Sequence, residues 1–189
     1  MPRKVILYIA MSLDGYIAKE DDTIDFLSKV ETPGEDYGYT EFTKTVDTII
    51  WGRKTYDKVK PFGIEFPHQD KNVFVLSKSK TGSEPHITYF SDVISLIEGL
   101  KKEPGKDIYC DGGSETVKEM LKHSLIDKMI ISIIPHLLGS GIRLFRDGLP
   151  EHNIRLVHSQ TFASGLVQLI YQKADPKVDI RTLSTFQPD

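Results

Sequence analysis

Residues 107–123 read DIYCDGGSETVKEMLKH, in which an apolar strand, a pair of glycines and an amphipathic helix follow one another directly. Val117, Met120 and Leu121 recur at helical spacing, and Ser114 stands where a helix cap is expected. Paired glycines let a ligand approach the backbone, and the start of a helix offers unpaired N–H donors. The unit is typical of an α/β protein that binds a phosphate at the turn between strand and helix.

Similar apolar runs on both sides of this unit predict further strands. They cover residues 5–10, 48–51, 72–76, 87–90 and 129–134. A helix capped by Ser91 is predicted to end at Lys102, and another helix is predicted through Phe42 and Val46. Strands that alternate with helices favour crossover connections, and therefore a largely parallel sheet with helices on both faces.

The C-terminal part of the chain predicts a different connection. Residues 154–160 and 166–172 flank a turn over residues 162–165, which is typical of an antiparallel hairpin at one edge of the sheet. The predicted fold is thus three-layered α/β, with a mixed, mostly parallel central sheet. A chain of 189 residues fits one domain, which we assign to residues 1–175, followed by a polar tail over residues 176–189.

Composition argues against several classes of partner. The formal net charge is −3 and no basic run is longer than a pair, which argues against a nucleic-acid partner. No apolar stretch approaches the roughly 20 residues that span a bilayer, so we expect no membrane partner and a cytoplasmic protein. Cys110 is the only cysteine and the six histidines show no HxxxH or HxH spacing, so neither a disulfide nor a metal is expected.

Two further turns place cations at the end of a predicted strand. The first consists of Gly52, Arg53, Lys54 and Thr55, whose amides and charges suit a phosphate, although a plain turn with solvated basic residues explains it equally well. The second consists of Leu76, Ser77 and Lys78, which suit a 2′-phosphate but are also common in ordinary loops. Because the carboxyl ends of parallel strands share one edge, the three turns together favour a dinucleotide.

Four motifs resemble those of known reductases. Residues 12–18, SLDGYIA, look like the SLDGxIA motif of the reductase domain of riboflavin biosynthesis, and residues 111–114, DGGS, are similar to its EGGG turn. Residues 52–56, GRKTY, resemble the GRxTW turn of dihydrofolate reductases, and residues 135–141, PHLLGSG, are similar to a P-x-x-x-G-x-G segment of the family. The chain therefore resembles a stand-alone member of this riboflavin-reductase family, within the dihydrofolate-reductase-like superfamily.

The resemblance implies a dihydrofolate-reductase-like fold and hydride transfer from NADPH to a small heterocyclic substrate of the pyrimidine or pteridine type. It places Ala10 and Ile17 beside the nicotinamide. It implies that the cofactor is further held by Gly52, Arg53, Lys54, Thr55, Leu76, Ser77, Lys78, Gly112, Gly113, Ser114, Glu115 and Thr116. The substrate would contact Asp111, Leu138 and Gly139. A homodimer is expected from the same resemblance.

Hydride transfer to an imine needs a proton donor, and the predicted catalytic carboxyls are Asp14 and Asp36. The resemblance places Asp36 near the acid of folate reductases, and it places Asp14 beside the nicotinamide, where we expect it to organise the site. Each has an ordinary explanation as well, because Asp-Gly is a common turn pair and acids are frequent at helix starts. The chain lacks the H-x-E and P-C-x-x-C motifs of the zinc deaminase that accompanies the riboflavin reductase in bifunctional enzymes. A dihydrofolate-reductase-like enzyme and a non-catalytic nucleotide-binding protein are the alternative functions.

Overall fold

The structure, a computed structural model, describes residues 2–59 and 68–174, so the tail predicted over residues 176–189 lies outside it. The strands are β1 (Val5–Ser12), β2 (Tyr16–Ala18), β3 (Val46–Gly52), β4 (Asn72–Leu76), β5 (Gly82–Glu84), β6 (Ile87–Phe90), β7 (Asp107–Gly112), β8 (Lys128–Ile134), β9 (Ile142–Arg143), β10 (Ile154–Thr161) and β11 (Val167–Lys173). The helices are α1 (Tyr39–Lys44), α2 (Arg53–Val59), α3 (Val93–Lys102) and α4 (Ser114–Lys122), with a 3-10 helix at Asp25–Val30.

Nine strands form one sheet in the order β10-β11-β8-β1-β7-β3-β4-β6-β5. The neighbours from β8 to β6 pair in parallel, whereas β11 is antiparallel to both β8 and β10, and β5 is antiparallel to β6. The prediction of a mixed, mostly parallel sheet with a C-terminal hairpin is confirmed. The short strands β2 and β9, which the sequence did not predict, form a separate antiparallel pair.

The two faces of the sheet carry separate cores because side chains alternate along a buried strand. Val5 and Leu7 of β1 join the cluster that packs under α3 and α4. Ile6, between them, joins the cluster on the opposite face, which is covered by Phe42 of α1 and Tyr56 of α2. Runs of apolar residues without alternation, such as β1, are thus explained by burial on both faces.

Three predicted helix boundaries were wrong. Helix α1 ends at Lys44, and Val46 instead begins β3 with only 1% of its surface exposed. Asp92 rather than Ser91 caps α3, since its carboxylate accepts hydrogen bonds from the amides of Ile94 and Ser95. Ser114 is the first residue of α4 rather than its cap, because β7 continues to Gly112 and shortens the turn.

Within the part of the chain that the structure describes, no helix combines the length and the hydrophobicity that crossing a bilayer requires.

Candidate functional site

The three predicted turns lie at the ends of neighbouring strands. Gly52, the last residue of β3, is paired in register with Leu76 at the end of β4. On its other side, Trp51 is paired with Gly112 at the end of β7. The parallel topology therefore brings all three turns to one edge of the sheet, next to the end of β1.

Two of these turns are in direct contact. A Cβ atom on Gly52 would lie 2.6 Å from the Thr116 hydroxyl oxygen, so only glycine lets β3 approach α4 this closely. The amide of Gly113 donates a hydrogen bond to the Thr55 hydroxyl at 2.9 Å. Gly112 has a φ of +97°, a left-handed conformation that favours glycine, and precedes a cis peptide bond to Gly113.

The N-terminus of α4 has amides available to a ligand. The first intrahelical bond runs from the Val117 amide to the Gly113 carbonyl, and no side chain caps this end. The amides of Ser114, Glu115 and Thr116 therefore keep the unpaired donors that a helix start offers to anions. The Glu115 side chain turns outward and forms an ion pair with Arg146.

The predicted cations differ in whether another side chain already pairs with them. Arg53 donates from Nε to both carboxylate oxygens of Asp57 at 2.7 Å. Lys54 and Lys78 are exposed, and neither forms a hydrogen bond or an ion pair within residues 2–59 and 68–174. The two lysines are therefore the cations at this edge with their charge available to a ligand.

The Ser77 hydroxyl shapes the turn after β4. Ser77 is buried, and its oxygen accepts hydrogen bonds from the amides of Ser79 and Lys80. Its role in holding a phosphate stays a prediction, and Lys78 is the exposed group of this turn.

Asp14 ties the loop after β1 to the segment after β8. Its carboxylate accepts hydrogen bonds from the Ser12 hydroxyl at 2.5 Å and from the amides of Leu138 and Gly139 at 3.1 and 2.7 Å. Although burial raises the pKa of Asp14, these bonds outweigh it and lower the pKa to about 2. A carboxylate held ionised in this way organises the loops and does not suit a proton donor.

A groove of about 690 Å³ opens on the face of the sheet that carries α1 and α2. Ala10 of β1, Ser132 and Ile134 of β8, and Leu166 belong to its lining. The rest of the lining consists of Tyr8, Leu27, Val30, Glu31, Thr32, Pro33, Glu35, Asp36, Tyr37 and Tyr39. Its size suits a small organic ligand. Ile17, by contrast, packs against the apolar cluster under α3 and α4.

Asp36 lies at the groove, and its carboxylate is bonded to the backbone at the start of α1, where Gly38 is the N-cap residue. Its carboxylate accepts hydrogen bonds from the amides of Gly38 and Thr40, both at 2.9 Å. Bonds from Thr40 and Gly38 lower the pKa of Asp36 below its usual value, so the group is ionised at neutral pH. Its predicted role as an acid is not favoured by these contacts.

Asp111 differs from Asp14 and Asp36 because its pKa is raised rather than lowered. It accepts hydrogen bonds from the Trp51 indole N–H and the Tyr109 hydroxyl, both at 2.5 Å. Burial raises the pKa of Asp111 to about 6 even though both bonds act to lower it. The charge of Asp111 also adds to burial in raising the pKa of Tyr39, which lines the groove, to about 12.

A polar network behind the groove was not predicted. The two N–H groups of the Gln168 side-chain amide are shared among three acceptors, the Tyr8 hydroxyl, the Tyr37 carbonyl and the Ser132 hydroxyl, at 3.1 to 3.2 Å. The Tyr8 hydroxyl in turn donates to the Tyr37 carbonyl at 2.8 Å. The available signal was the position of Tyr8, two residues before Ala10 and hence on the same face of β1.

Comparison with known proteins identifies a family. The sequence profile of the family described as the RibD C-terminal domain matches residues 3–168. The uncharacterized Bacillus subtilis protein YwjB is 44% identical over 176 residues, which cover 92% of this chain and all of that protein. A second uncharacterized protein of the same organism, YyaP, is 32% identical over 181 residues, with 89% of this chain and 94% of that protein covered.

Solved structures share the fold. The crystal structure of a Shewanella sp. PV-4 protein, named provisionally as a riboflavin biosynthesis protein, is 32% identical with a TM-score of 0.83, and covers 93% of this chain and 100% of that one. A Thermotoga maritima diaminohydroxyphosphoribosylaminopyrimidine deaminase/5-amino-6-(5-phosphoribosylamino)uracil reductase has a TM-score of 0.67 at 17% identity. The match covers 92% of this chain and 57% of that enzyme. At that identity the second likeness shows the fold alone.

Proposed function

We propose, because this chain belongs to the RibD C-terminal domain family, that it is a reductase that transfers a hydride from NADPH to a small heterocyclic substrate, as in riboflavin biosynthesis. The observation that carries the proposal is the close packing of the Gly52 turn against the glycine pair before α4. The turns predicted to bind one dinucleotide thus lie side by side.

The residues present fit a dinucleotide with a phosphate on its ribose. The unpaired amides at the start of α4 would hold the pyrophosphate, since no side chain occupies their place. Lys54 and Lys78, exposed at the ends of the neighbouring strands, would hold the 2′-phosphate. NADPH, when bound, supplies the hydride. The chain would contribute orientation beside Ala10 and a groove that limits access of water.

The direct test is titration of the protein into NADPH, followed by the change in cofactor fluorescence. NADPH oxidation is then measured against a panel of pteridines, pyrimidines and small carbonyl compounds. Binding with turnover supports the reductase. Binding without oxidation by any compound favours the alternative of a non-catalytic nucleotide-binding protein, and no binding at millimolar cofactor contradicts both.

The preference for NADPH over NADH is expected to depend on Lys78. A charge-assisted hydrogen bond contributes about 1.5–3 kcal/mol, so Lys78→Ala should weaken NADPH binding by about tenfold or more. NADH binding should change little, because NADH lacks the 2′-phosphate. Fluorescence titration of both cofactors checks this, with Lys102→Ala, an exposed lysine at the end of α3, as the control. Equal losses for NADPH and NADH would refute the assignment.

We also propose that two copies of the chain pair through β10. This strand ends the nine-stranded sheet, and its outer edge has no strand partner in the described ranges. All eight residues are exposed, including Ile154, Leu156 and Val157 at 37%, 48% and 46%. Exposed apolar edges of this kind invite pairing. An antiparallel pair centred between Val157 and His158 would place Arg155 of one copy opposite Gln160 of the other. The two arginines would therefore not lie opposite each other.

Sedimentation at micromolar protein is expected to show a dimer. Leu156→Lys should yield monomers, because the introduced charge would be brought into the shared edge. Ile24→Lys, which changes an apolar residue outside β10 that is 55% exposed, should leave the dimer intact. A monomeric unmodified protein would contradict the proposal.

A further inference from the structure

We infer that the substrate is a planar nitrogen heterocycle, uncharged or protonated, with neither phosphate nor carboxylate on the part that enters the groove. The inference rests on the proposed function, since it takes the groove beside Ala10 as the place of the hydride acceptor. It adds the charge and the permitted substituents of that acceptor, which the proposed function leaves open.

The charged side chains in the described lining of the groove are all acidic. Glu31, Glu35 and Asp36 lie in its lining, and the described lining contains no lysine, arginine or histidine. Two of these carboxylates are fixed by the backbone, because Asp36 accepts hydrogen bonds from the amides of Gly38 and Thr40, and Glu35 accepts one from the Tyr37 amide at 2.7 Å. An anionic group entering here would meet like charges and find no cation to replace its lost hydration.

The walls of the groove suit a flat ring. Tyr8, Tyr37 and Tyr39 all line it, and the ring of Tyr8 is itself held by stacking on Phe42 at 4.8 Å between centroids. Aromatic faces favour planar ligands and attract cations. Three tyrosines beside three carboxylates therefore favour a protonated or neutral heterocycle over an anion.

The floor of the groove offers a hydrogen-bond donor. Ser132 is 4% exposed, and its oxygen accepts a bond from Gln168 at 3.2 Å. Within the described residues, no acceptor is found for the hydrogen of this hydroxyl. A ring nitrogen or a ring carbonyl would supply that acceptor.

Positive charge lies elsewhere at the same sheet edge. Lys54 and Lys78 follow β3 and β4, on the other side of β7 from the groove floor on β1 and β8. A phosphate would therefore be drawn to the cofactor turns rather than to the groove.

The test compares ligands that differ by one anionic group. Pterin is measured against pterin-6-carboxylate, and cytidine against cytidine 5′-phosphate, by calorimetry on the NADPH-loaded protein. At least one uncharged member should bind about tenfold more tightly than its anionic partner, and the ratio should shrink at high salt. Glu31→Gln with Glu35→Gln should reduce the ratio. Glu98→Gln, which removes an exposed carboxylate on α3 under the opposite face, should not.

Two results would overturn the inference. One is tighter binding of the anionic member of both pairs, and the other is failure of all four compounds to bind. NADPH binding is measured separately by fluorescence on the same samples. If NADPH binds and the anionic ligands are preferred, the substrate class is wrong while the reductase stands; if NADPH does not bind, the proposed function itself fails.

Discussion

The Gly52→Ala variant is expected to lose NADPH affinity by about tenfold or more and to have a free energy of unfolding lower by about 1–3 kcal/mol. The reason is steric. The added Cβ would lie 2.6 Å from the Thr116 hydroxyl oxygen and 3.4 Å from the Gly112 carbonyl oxygen, and Thr116 is almost fully buried. The Thr116 side chain, or α4 with it, must move, and α4 belongs to the proposed pyrophosphate site. Thermal unfolding and NADPH titration measure the two effects.

A second substitution separates this clash from other effects of alanine. Thr116→Ala removes the hydroxyl that the new Cβ meets, so Gly52→Ala with Thr116→Ala should recover part of the lost stability. Gly99→Ala is the matched control, because a Cβ there meets nothing within 4 Å and alanine favours the helix interior. If Gly52→Ala binds NADPH as the unmodified protein does, the turn contact has no part in cofactor binding.

Most of the sheet was predictable because its strands are short and apolar on both faces. Runs such as residues 72–76 and 87–90 have no helical period and end at polar residues, and the structure gives both strands those bounds. The wrong predictions concern the ends of helices, where neighbouring residues compete to be the cap or the last helical residue. Val46 fits the apolar stripe of a helix, but it begins β3 instead, because it is buried there in the apolar cluster on that face of the sheet. Asp92 rather than Ser91 is the cap because α3 begins at Val93, and the residue directly before the helix accepts from the amides of Ile94 and Ser95.

The cofactor edge was predictable from the sequence in a way that the substrate groove was not. Glycines and cations directly after strands are local signals, and parallel topology alone brings them together. The groove depends on side chains distant in sequence, such as Gln168 reaching Tyr8 and Ser132. Asp111 stands beside the glycine pair, but its partner Trp51 lies 60 positions earlier in the chain. Their contact requires the register between β3 and β7.

The pH dependence of stability should change in Asp111→Asn. The pKa of Asp111 is raised from 3.8 to about 6 in the folded protein, so between these values the folded state holds a proton that the unfolded chain has released. The contribution of Asp111 to the free energy of unfolding therefore falls as the pH rises through that window, by up to about 3 kcal/mol. The asparagine variant lacks this loss and should gain relative to the unmodified protein between pH 4 and pH 7, as measured by denaturant unfolding at each pH.

Asp14→Asn provides a control of opposite sign. The pKa of Asp14 is lowered to about 2, so its stabilising effect is present above the ordinary pKa of 3.8 and is lost as pH falls toward 2. That variant should be less stable than the unmodified protein at neutral pH and approach it in acid. Each variant loses one carboxyl group, so both have the same change in the charge of the unfolded chain. That change cannot stabilise Asp111→Asn between pH 4 and pH 7 and also destabilise Asp14→Asn at neutral pH. A stability difference between Asp111→Asn and the unmodified protein that stays constant from pH 4 to pH 7 would show that Asp111 does not carry a raised pKa.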